Sequence, residues 1–400
     1  MSQRVLFAIG EMSGGGSQRQ LLGILKHLDR GQFSPELYVV SPRGELLSEV
    51  PDDVPIHVFA KRWQQPLGKI PGSGFRARVR DLAQLLAERR IDVIYDRTYH
   101  MTLIAAAATR KRPTPRVSVI VTDPRLDFET NPERFRRIKR RLLRHAYRDA
   151  DVVAAVSAGV GEAAADYHRL PPTQIETAYN FFDIAEIDRL AGEELPGAFA
   201  RSAGRFRIVA AGRLHPQKGF DILIEAIRLL VESRELRVER NSAVDSPELL
   251  ILGAGETQSQ LEQQIQQAGL GDHVRLAGFW QNPLPFYRTA DLFCLSSRYE
   301  GMPNALVEAM LCGVPVLATD CPSGPREILQ NGRDGRLVPV ENPQALAAAI
   351  DDAITNQPLW QQQTSAARES IIHRFSPPAG IERTTGLLET AVARFRERSN

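Results

Sequence analysis

Two glutamates, Glu300 and Glu308, stand with seven residues between them in the run Arg298-Tyr299-Glu300-Gly301-Met302-Pro303-Asn304-Ala305-Leu306-Val307-Glu308. The Gly301-Met302-Pro303 part cannot be helical throughout, and Asn304 is suited to cap the apolar run that follows. Glu300 is then expected to project from a loop, and Glu308 to sit about one turn into a rigid helix. Between them lie the unpaired N–H groups of a helix start, which suit an anion. Carboxylates accept hydrogen bonds from sugar hydroxyls, and amides can donate to a phosphate. One such turn can therefore hold both ends of a sugar nucleotide. A surface helix whose glutamates favour the positive end of its dipole would be spelled in the same way.

A second segment bears on that choice. Residues 207–211 read as a buried strand, followed by Gly212-Arg213-Leu214-His215-Pro216-Gln217-Lys218-Gly219 and an apolar-periodic helix over 220–230. Recognition of a diphosphate needs such a loop. Arg213 offers a fork of donors, Lys218 a point charge, and Gly212 and Gly219 a backbone that can be approached closely. Each charge-assisted bond is worth about 1.5–3 kcal/mol. By itself the basic pair could be ordinary surface; beside the two-glutamate turn, that explanation weakens.

These loops need a scaffold, and the chain supplies one twice. Strand patterns at 5–9, 36–40, 92–95, 116–121 and 151–156 alternate with helical ones at 18–28 and 76–90. After Asn180 the alternation restarts, with strands at 206–211, 249–252, 274–276, 292–295 and 315–318. Such alternation implies an α/β protein of two Rossmann-like domains, each a parallel sheet covered on both faces. Ligands of these sheets bind beyond the carboxyl ends of the strands, and two such ends are expected to face a central cleft. The boundary is expected between residues 181 and 202, and the polar run 232–247 reads as a surface excursion.

Composition is that of an ordinary globular protein, with ample length for two cores. The formal net charge is +2, so bulk charge names no partner. Cys294, Cys312 and Cys321 cannot form a disulfide framework and suit a reducing compartment. The apolar run 5–9 is too short for a signal peptide, and no run reaches membrane-spanning length. A cytoplasmic protein, or one lying on the cytoplasmic face of the inner membrane, is expected.

Taken together, Gly212-Arg213, Lys218-Gly219, Gly253-Ala254-Gly255, Asp291-Leu292-Phe293, Ser297 to Gly301 and Glu308-Ala309-Met310 resemble glycosyltransferase family 4 in order and spacing. The stretch 313–319, Ser323-Gly324-Pro325-Arg326-Glu327, Gly14-Gly15-Gly16 and Tyr179-Asn180 extend the likeness over nearly the whole chain. The resemblance implies a retaining enzyme with the GT-B fold. It divides the chain into an acceptor-binding domain (1–185), a nucleotide-sugar-binding domain (186–375) and a C-terminal helix (376–400) that crosses back onto the first domain. Its reaction would take a nucleoside-diphosphate sugar, of uridine by preference, and a sugar or lipid-linked sugar acceptor, with no cofactor.

Residue by residue, the resemblance gives Glu308 the ribose diol and Glu300 the transferred sugar. The amides of Gly301, Met302, Pro303, Asn304, Ala305 and Leu306 lie on the same turn, where they can serve phosphate or sugar hydroxyls; Pro303 has no N–H and contributes its place in the chain only. Arg213 and Lys218 stabilise the negative charge that builds on the departing phosphate. Gly212 and Gly255 let backbone approach the ligand, and Gly15 and Gly16 would admit diphosphate or acceptor from the other domain, or simply form a strand-to-helix loop. A metal-using enzyme would need an Asp-x-Asp pair. Asp149-Ala150-Asp151 has that spelling but is read as the end of a basic helix, so no metal site is assigned.

One departure stands out. Many family members carry a His where this chain has Thr122-Asp123-Pro124-Arg125. Asp123 could supply the missing contact, as could His100, which ends a loop after the preceding strand. Both are equally open to a surface role.

The helical pattern over 132–147 carries Arg134, Arg136, Arg137, Lys139, Arg140, Arg141, Arg144 and Arg148, with Phe135, Ile138, Leu142 and Ala146 expected to face the core. It suits either solvent or an anionic membrane surface, the latter implying a lipid-linked acceptor. Nucleic acid is not expected, since no aromatic residues interleave with these charges. Two other enzymes compete with a transferase: a sugar-nucleotide epimerase, and a nicotinamide-dependent oxidoreductase hinted at by Leu252-Gly253-Ala254-Gly255. For the latter the third fingerprint glycine is replaced by Gln258. A non-catalytic binding module accounts least well for so many convergent groups.

Overall fold

Two sheets organise the computed structural model, which describes residues 2–63, 72–125, 136–201, 203–238 and 246–399. The first comprises β1 (Gln3–Ile9), β2 (Phe33–Val39), β3 (Ile56–Val58), β4 (Val93–Arg97), β5 (Arg116–Ile120), β6 (Val152–Ala155) and β7 (Ile175–Thr177), in the order β3-β2-β1-β4-β5-β6-β7. The second comprises β8 (Arg205–Ala211), β9 (Ser246–Leu252), β10 (Val274–Gly278), β11 (Leu292–Leu295), β12 (Val316–Thr319) and β13 (Arg336–Val338), in the order β10-β9-β8-β11-β12-β13. All described pairings are parallel. Val5, Leu6, Phe7, Ala8 and Ile9 are buried without alternation, as a strand covered on both faces requires. The order turns back beside the first strand of each sheet, at β1/β4 and at β8/β11, and these switch points are where open α/β sheets hold ligands.

The helices needed below, numbered in chain order, are α1 (Gly16–His27), α2 (Tyr99–Lys111), α3 (Arg136–Arg148), α4 (Ala158–His168), α5 (Phe220–Val238), α6 (Asn304–Leu311) and α7 (Pro377–Ser399). One compact unit takes residues 1–181 and 377–400, the other 182–376. Within the first, α7 lies against α1, β4, β5 and β6. Arg398 meets the Asp151 carboxylate at 2.8 Å, and Arg394 pairs with Glu176 at 3.3 Å. Within the second, α5 and the buried faces of β8, β9 and β11 share one core built on Phe206, Ile208, Leu223, Ile227, Leu249 and Ile251.

Several expectations are corrected. Asn304 is the first residue of α6 rather than its cap. Pro303 holds the cap position, extended at ψ 95°, with its carbonyl accepting from Leu306 N at 3.1 Å. The extended bias that a proline imposes on the residue before it keeps Met302 out of the helix as well. His100 does not end a loop but is the second residue of α2. Residues 232–238 continue α5 and Ser246 and Pro247 open β9, so the polar run is no excursion there; its middle, 239–245, lies outside the described residues.

The basic helix differs most from its expectation. Ala146 is buried as expected, but Ile138 is 57% and Leu142 50% exposed. Leu143 and Tyr147 face the core instead. Rotating the helix by one position buries the larger Tyr147, whose ring packs 5.0 Å from that of His168, and lets Arg140 lie over Tyr167 at 4.1 Å. Arg134 and Phe135 lie outside the described residues.

His168 itself is 1% exposed, and its Nδ1 has no hydrogen-bond partner among the described residues. Burial, reinforced by the Arg140 charge, pushes its imidazole down to about 4 from 6.5. The folded state thus favours the neutral ring. The resulting stability is complete above the unfolded value of 6.5 and falls as pH drops towards 4. We expect the first unit to lose on the order of 3 kcal/mol over that window. Urea unfolding of Phe- or Leu-substituted His168 against wild type at pH 7 and 4.5 checks this; an unchanged difference between the two pH values refutes it.

Candidate functional site

At the carboxyl end of the second sheet, the loops after β8 and β11 are stitched into one surface. The loop after β8 turns through Pro216–Lys218, where His215 Nδ1 accepts from Gln217 N at 3.1 Å. Gln217 Nε2 donates to Tyr299 O at 2.9 Å, and its carbonyl accepts from Arg298 N at 2.8 Å. Ser296 Oγ donates to Lys218 O at 2.8 Å. Arg298 acts as the outer clamp: its guanidinium bonds Pro216 O at 2.6 Å and Asp221 at 2.9 and 2.7 Å, and it also pairs with Glu341. Although burial works to raise the Asp221 carboxyl, the Arg298 bonds hold it below its ordinary value.

Gly219 makes the stitching possible. At φ +61° it is in the left-handed region, and a Cβ there would lie 2.2 Å from Ser296 O. Gly255 serves the neighbouring loop: its Cβ would lie 2.2 Å from Leu214 O. The Gly-x-Gly after β9 therefore seats protein backbone against protein backbone. That role explains both glycines without a dinucleotide.

Inside this frame Lys218 Nζ meets Glu300 Oε1 at 2.6 Å, although 82 residues separate them in sequence. Glu300 is 5% exposed. Ser297 Oγ also donates to Oε1 at 2.6 Å, and the Ser297 carbonyl is itself held by Thr319 Oγ1 at 2.5 Å. Both bonds fall on one carboxylate oxygen, and Oε2 takes none among the described residues. An ammonium carries three donors, of which Glu300 uses one. The pair is thus poised to receive more acceptors at nitrogen and a hydroxyl at oxygen. Removing either partner would strand a largely buried charge.

Glu308 is the fifth residue of α6 and half-buried, on the helix whose start Glu300 precedes by four residues. Met302 is 8% and Leu306 0% exposed, and Gly301 and Pro303 are also buried. What this segment presents outward is therefore backbone and the half-buried Asn304, Ala305 and Glu308. Arg213 is exposed and makes no hydrogen bond or ion pair among the described residues. Burial and the Arg213 charge hold His215 below its usual value. Burial pushes the Cys294 and Cys312 thiols up to about 12 and Cys321 higher still, so none is a thiolate.

The remaining candidates belong to the first unit. Gly15 caps α1 and Gly16 begins it. His100 is exposed, and its ring lies 4.0 Å from that of Tyr99, tilted by 36°; partial desolvation and the Lys139 and Arg78 charges hold it below its ordinary value. Asp123 is 0% exposed, and its carboxylate is clasped by Arg125, closest at 2.7 Å. Asp149 is paired with Arg110, and Asp151 accepts from Arg116 N at 2.9 Å and faces Arg398. Both carboxylates of the Asp-x-Asp thus face arginine donors.

Two parallel-sheet units, the second with an ion-paired acidic turn at its switch point, define an α/β protein of the two-domain Rossmann-like class. The comparisons make it particular. Residues 14–186 match the model for Glycosyltransferase Family 4 and residues 193–370 that for Glycosyl transferases group 1. The chain belongs to the family 4 type of glycosyltransferase. It is 24% identical over 316 residues to the lipopolysaccharide core biosynthesis glycosyltransferase LpsE of Rhizobium meliloti, covering 77% of this chain and 85% of that one. It is 27% identical over 227 residues to the N-acetylgalactosamine-N,N'-diacetylbacillosaminyl-diphospho-undecaprenol 4-alpha-N-acetylgalactosaminyltransferase of Campylobacter jejuni, covering 57% of each. Several other curated relatives are spanned over about half their length. Among solved structures, Anabaena Alr3699/HepE in complex with UDP superposes with a TM-score of 0.77 at 24% identity, covering 97% of this chain and 100% of that one. The shared fold is GT-B.

Sequence reasoning missed Gln217, Ser296, Ser297 and Arg298 as the groups that fix the site. Arg298 and Ser297 lay inside the quoted motif, but their partners Asp221, Glu341 and Thr319 are distant in sequence, so only the fold reveals them.

Proposed function

We propose that this glycosyltransferase moves a hexose or N-acetylhexosamine, with retention at C1, from a uridine-diphosphate sugar to a lipid-linked sugar acceptor in surface-polysaccharide assembly. The observation that carries the donor half is the Lys218–Glu300 contact at the start of α6. Lys218, Arg213 and the α6 amides stabilise the leaving diphosphate, taking the part a metal ion has elsewhere. Glu300 offers Oε2 to the transferred sugar, and Glu308 holds the ribose diol. Retention follows from attack on the face that the diphosphate leaves, its own oxygen helping to take the acceptor proton. His100 and Asp123 are the first unit's polar groups for the acceptor; Arg125 must release Asp123 for it to serve. The second unit is then the donor domain and the first the acceptor domain. The Anabaena structures with UDP and with UDP-glucose support the base, and the names of the Rhizobium and Campylobacter relatives support the acceptor class.

Thermal-shift screening with UDP- and GDP-sugars tests the donor, because a ligand that binds only the folded state raises its stability. UDP release that depends on an added sugar acceptor supports transfer. Sugar inversion without an acceptor would instead establish an epimerase.

The first unit also carries a surface suited to a lipid carrier. Exposed Ile138 and Leu142 are bracketed on α3 by exposed Arg137, Arg141 and His145. Among the described residues no helix is long and apolar enough to cross a membrane. Docking in the headgroup plane fits this face, each cation adding about 1 kcal/mol. Flotation with anionic liposomes at low salt should carry the protein upward, and Ile138→Ser/Leu142→Ser should leave it at the bottom. Wild type that stays down at low salt rules the docking out.

A further inference from the structure

Strand β12 is apolar until its last residue. Val316, Leu317 and Ala318 are buried without interruption, and Thr319 follows them at 0% exposure. A valine is nearly the same shape and fits a buried strand at least as well, so the strand itself has no use for a hydroxyl there. A buried hydroxyl costs free energy unless it is bonded. Thr319 Oγ1 lies 2.5 Å from Ser297 O and 3.3 Å from Leu295 O. It has one proton to give, and the shorter contact takes it.

The place of the acceptor gives that hydroxyl its use. β11 and β12 pair as far as Leu295↔Ala318, so Ser297 stands two residues past the end of β11, where the ladder no longer serves its carbonyl. No backbone N–H donates to that carbonyl among the described residues, and Ser297 is 1% exposed. Thr319 is thus what holds the peptide unit. The hydroxyl of the same serine donates to Glu300 Oε1 at 2.6 Å, beside Lys218 Nζ at an equal distance. Two bonds therefore lead from a strand of the sheet to the carboxylate: Thr319 fixes the Ser297 backbone, and Ser297 fixes Oε1. Lys218 alone is a poorer guide, since its ammonium rides on a flexible four-carbon stem. The loop after Thr319 backs the same turn. Gly324 is at φ +91°, and a Cβ there would lie 2.6 Å from Pro303 Cδ and 3.1 Å from Gly301 O.

We propose that Thr319 is a positioning residue for glycosyl transfer: through Ser297 it holds Oε1 of Glu300 so that Oε2 stays turned towards the sugar. The hydrogen-bonded chain stands on geometry; its effect on turnover rests on the reading of Glu300 above. The test is Thr319→Val, with Thr319→Ser as the conservative variant and Glu300→Gln as a background. The probe is UDP-glucose or UDP-N-acetylglucosamine, whichever raises the melting temperature more. Initial rates of UDP release from it, with water as acceptor, separate kcat from KM, and calorimetry gives the UDP affinity. In Thr319→Val kcat falls about tenfold to a hundredfold while KM and UDP affinity hold, and Thr319→Ser restores it to within about twofold. In the Glu300→Gln background the valine changes kcat by less than about twofold, because the group it positions is already lost. An undiminished kcat in Thr319→Val, or a fall of the same size in the Glu300→Gln background, overturns the positioning. So does a loss of UDP affinity as large as the loss of kcat, which marks a structural role. If Glu300→Gln alone leaves kcat unchanged, the reading of Glu300 falls, and the effect on turnover with it. The crystal structure of Thr319→Val decides the chain itself whatever the activity: Ser297 Oγ withdrawn from Oε1 supports it, and an unmoved Glu300 carboxylate overturns it.

Discussion

Glu300→Gln should lower kcat by on the order of a hundredfold to a thousandfold while leaving UDP affinity almost unchanged. The amide matches the carboxylate in shape, so its oxygen can still accept from Ser297 and from the Lys218 ammonium, although that charge is no longer neutralised. What disappears is the negative charge beside a sugar on which positive charge develops, an interaction stronger in the transition state than in the ground state. Glu308→Ala should behave in the opposite way. In the proposed reading it removes the acceptor for two ribose hydroxyls, bonds present before and during reaction, so UDP affinity should weaken roughly tenfold to a hundredfold with kcat at saturation preserved. Initial-rate kinetics with calorimetric UDP titration separate the two. If both variants shift the same parameter to the same degree, the division of labour between the carboxylates is wrong.

Gly219→Ala should cost the second unit about 3 kcal/mol or more, and it should weaken donor binding at the same time. Left-handed backbone accounts for about 1–2 kcal/mol of that. The rest comes from a methyl placed 2.2 Å from Ser296 O, a backbone atom at the end of β11 that cannot move without moving Ser297 and Glu300. Gly278→Ala is the internal control. Its φ is +77°, yet nothing lies within 4 Å of the added methyl, so only the backbone cost applies. Thermal melts should show a fall of roughly 10 °C for Gly219→Ala and a few degrees for Gly278→Ala. Equal falls would mean that the crowding at Ser296 is absorbed locally.

The two sheets were legible because their central strands are unbroken apolar runs. Val5 to Ile9, Leu249 to Leu252 and Leu292 to Leu295 leave little else to be. Strands β3, β7 and β13 escaped notice, being three-residue segments on sheet edges with polar members such as His57, Glu176 and Arg336. The two-glutamate turn was legible in residue type and spacing, but the Lys218–Glu300 contact was not, since it depends on β8 and β11 pairing across a crossover. Helix α3 shows the opposite failure. With arginines on every side its apolar periodicity admits two rotations, and the competition is settled by Tyr147 packing against His168, which lies on α4. Asn304 looked like a cap because its type suits one, whereas the proline before it takes that position through its own backbone.

One feature of the chain path has an evolutionary consequence. Phe182 N donates to Phe375 O at 2.8 Å, so the segment that leaves the first unit after Phe181 returns beside its own point of departure. Such a segment is an insertion with its ends tied together. It can be exchanged for a homologous cassette through a single doorway, leaving intact the first sheet and the helix that closes it. On the proposed division of roles between the units, recombination at these two junctions offers a route by which a lineage changes the sugar it dispenses while keeping the partner that receives it.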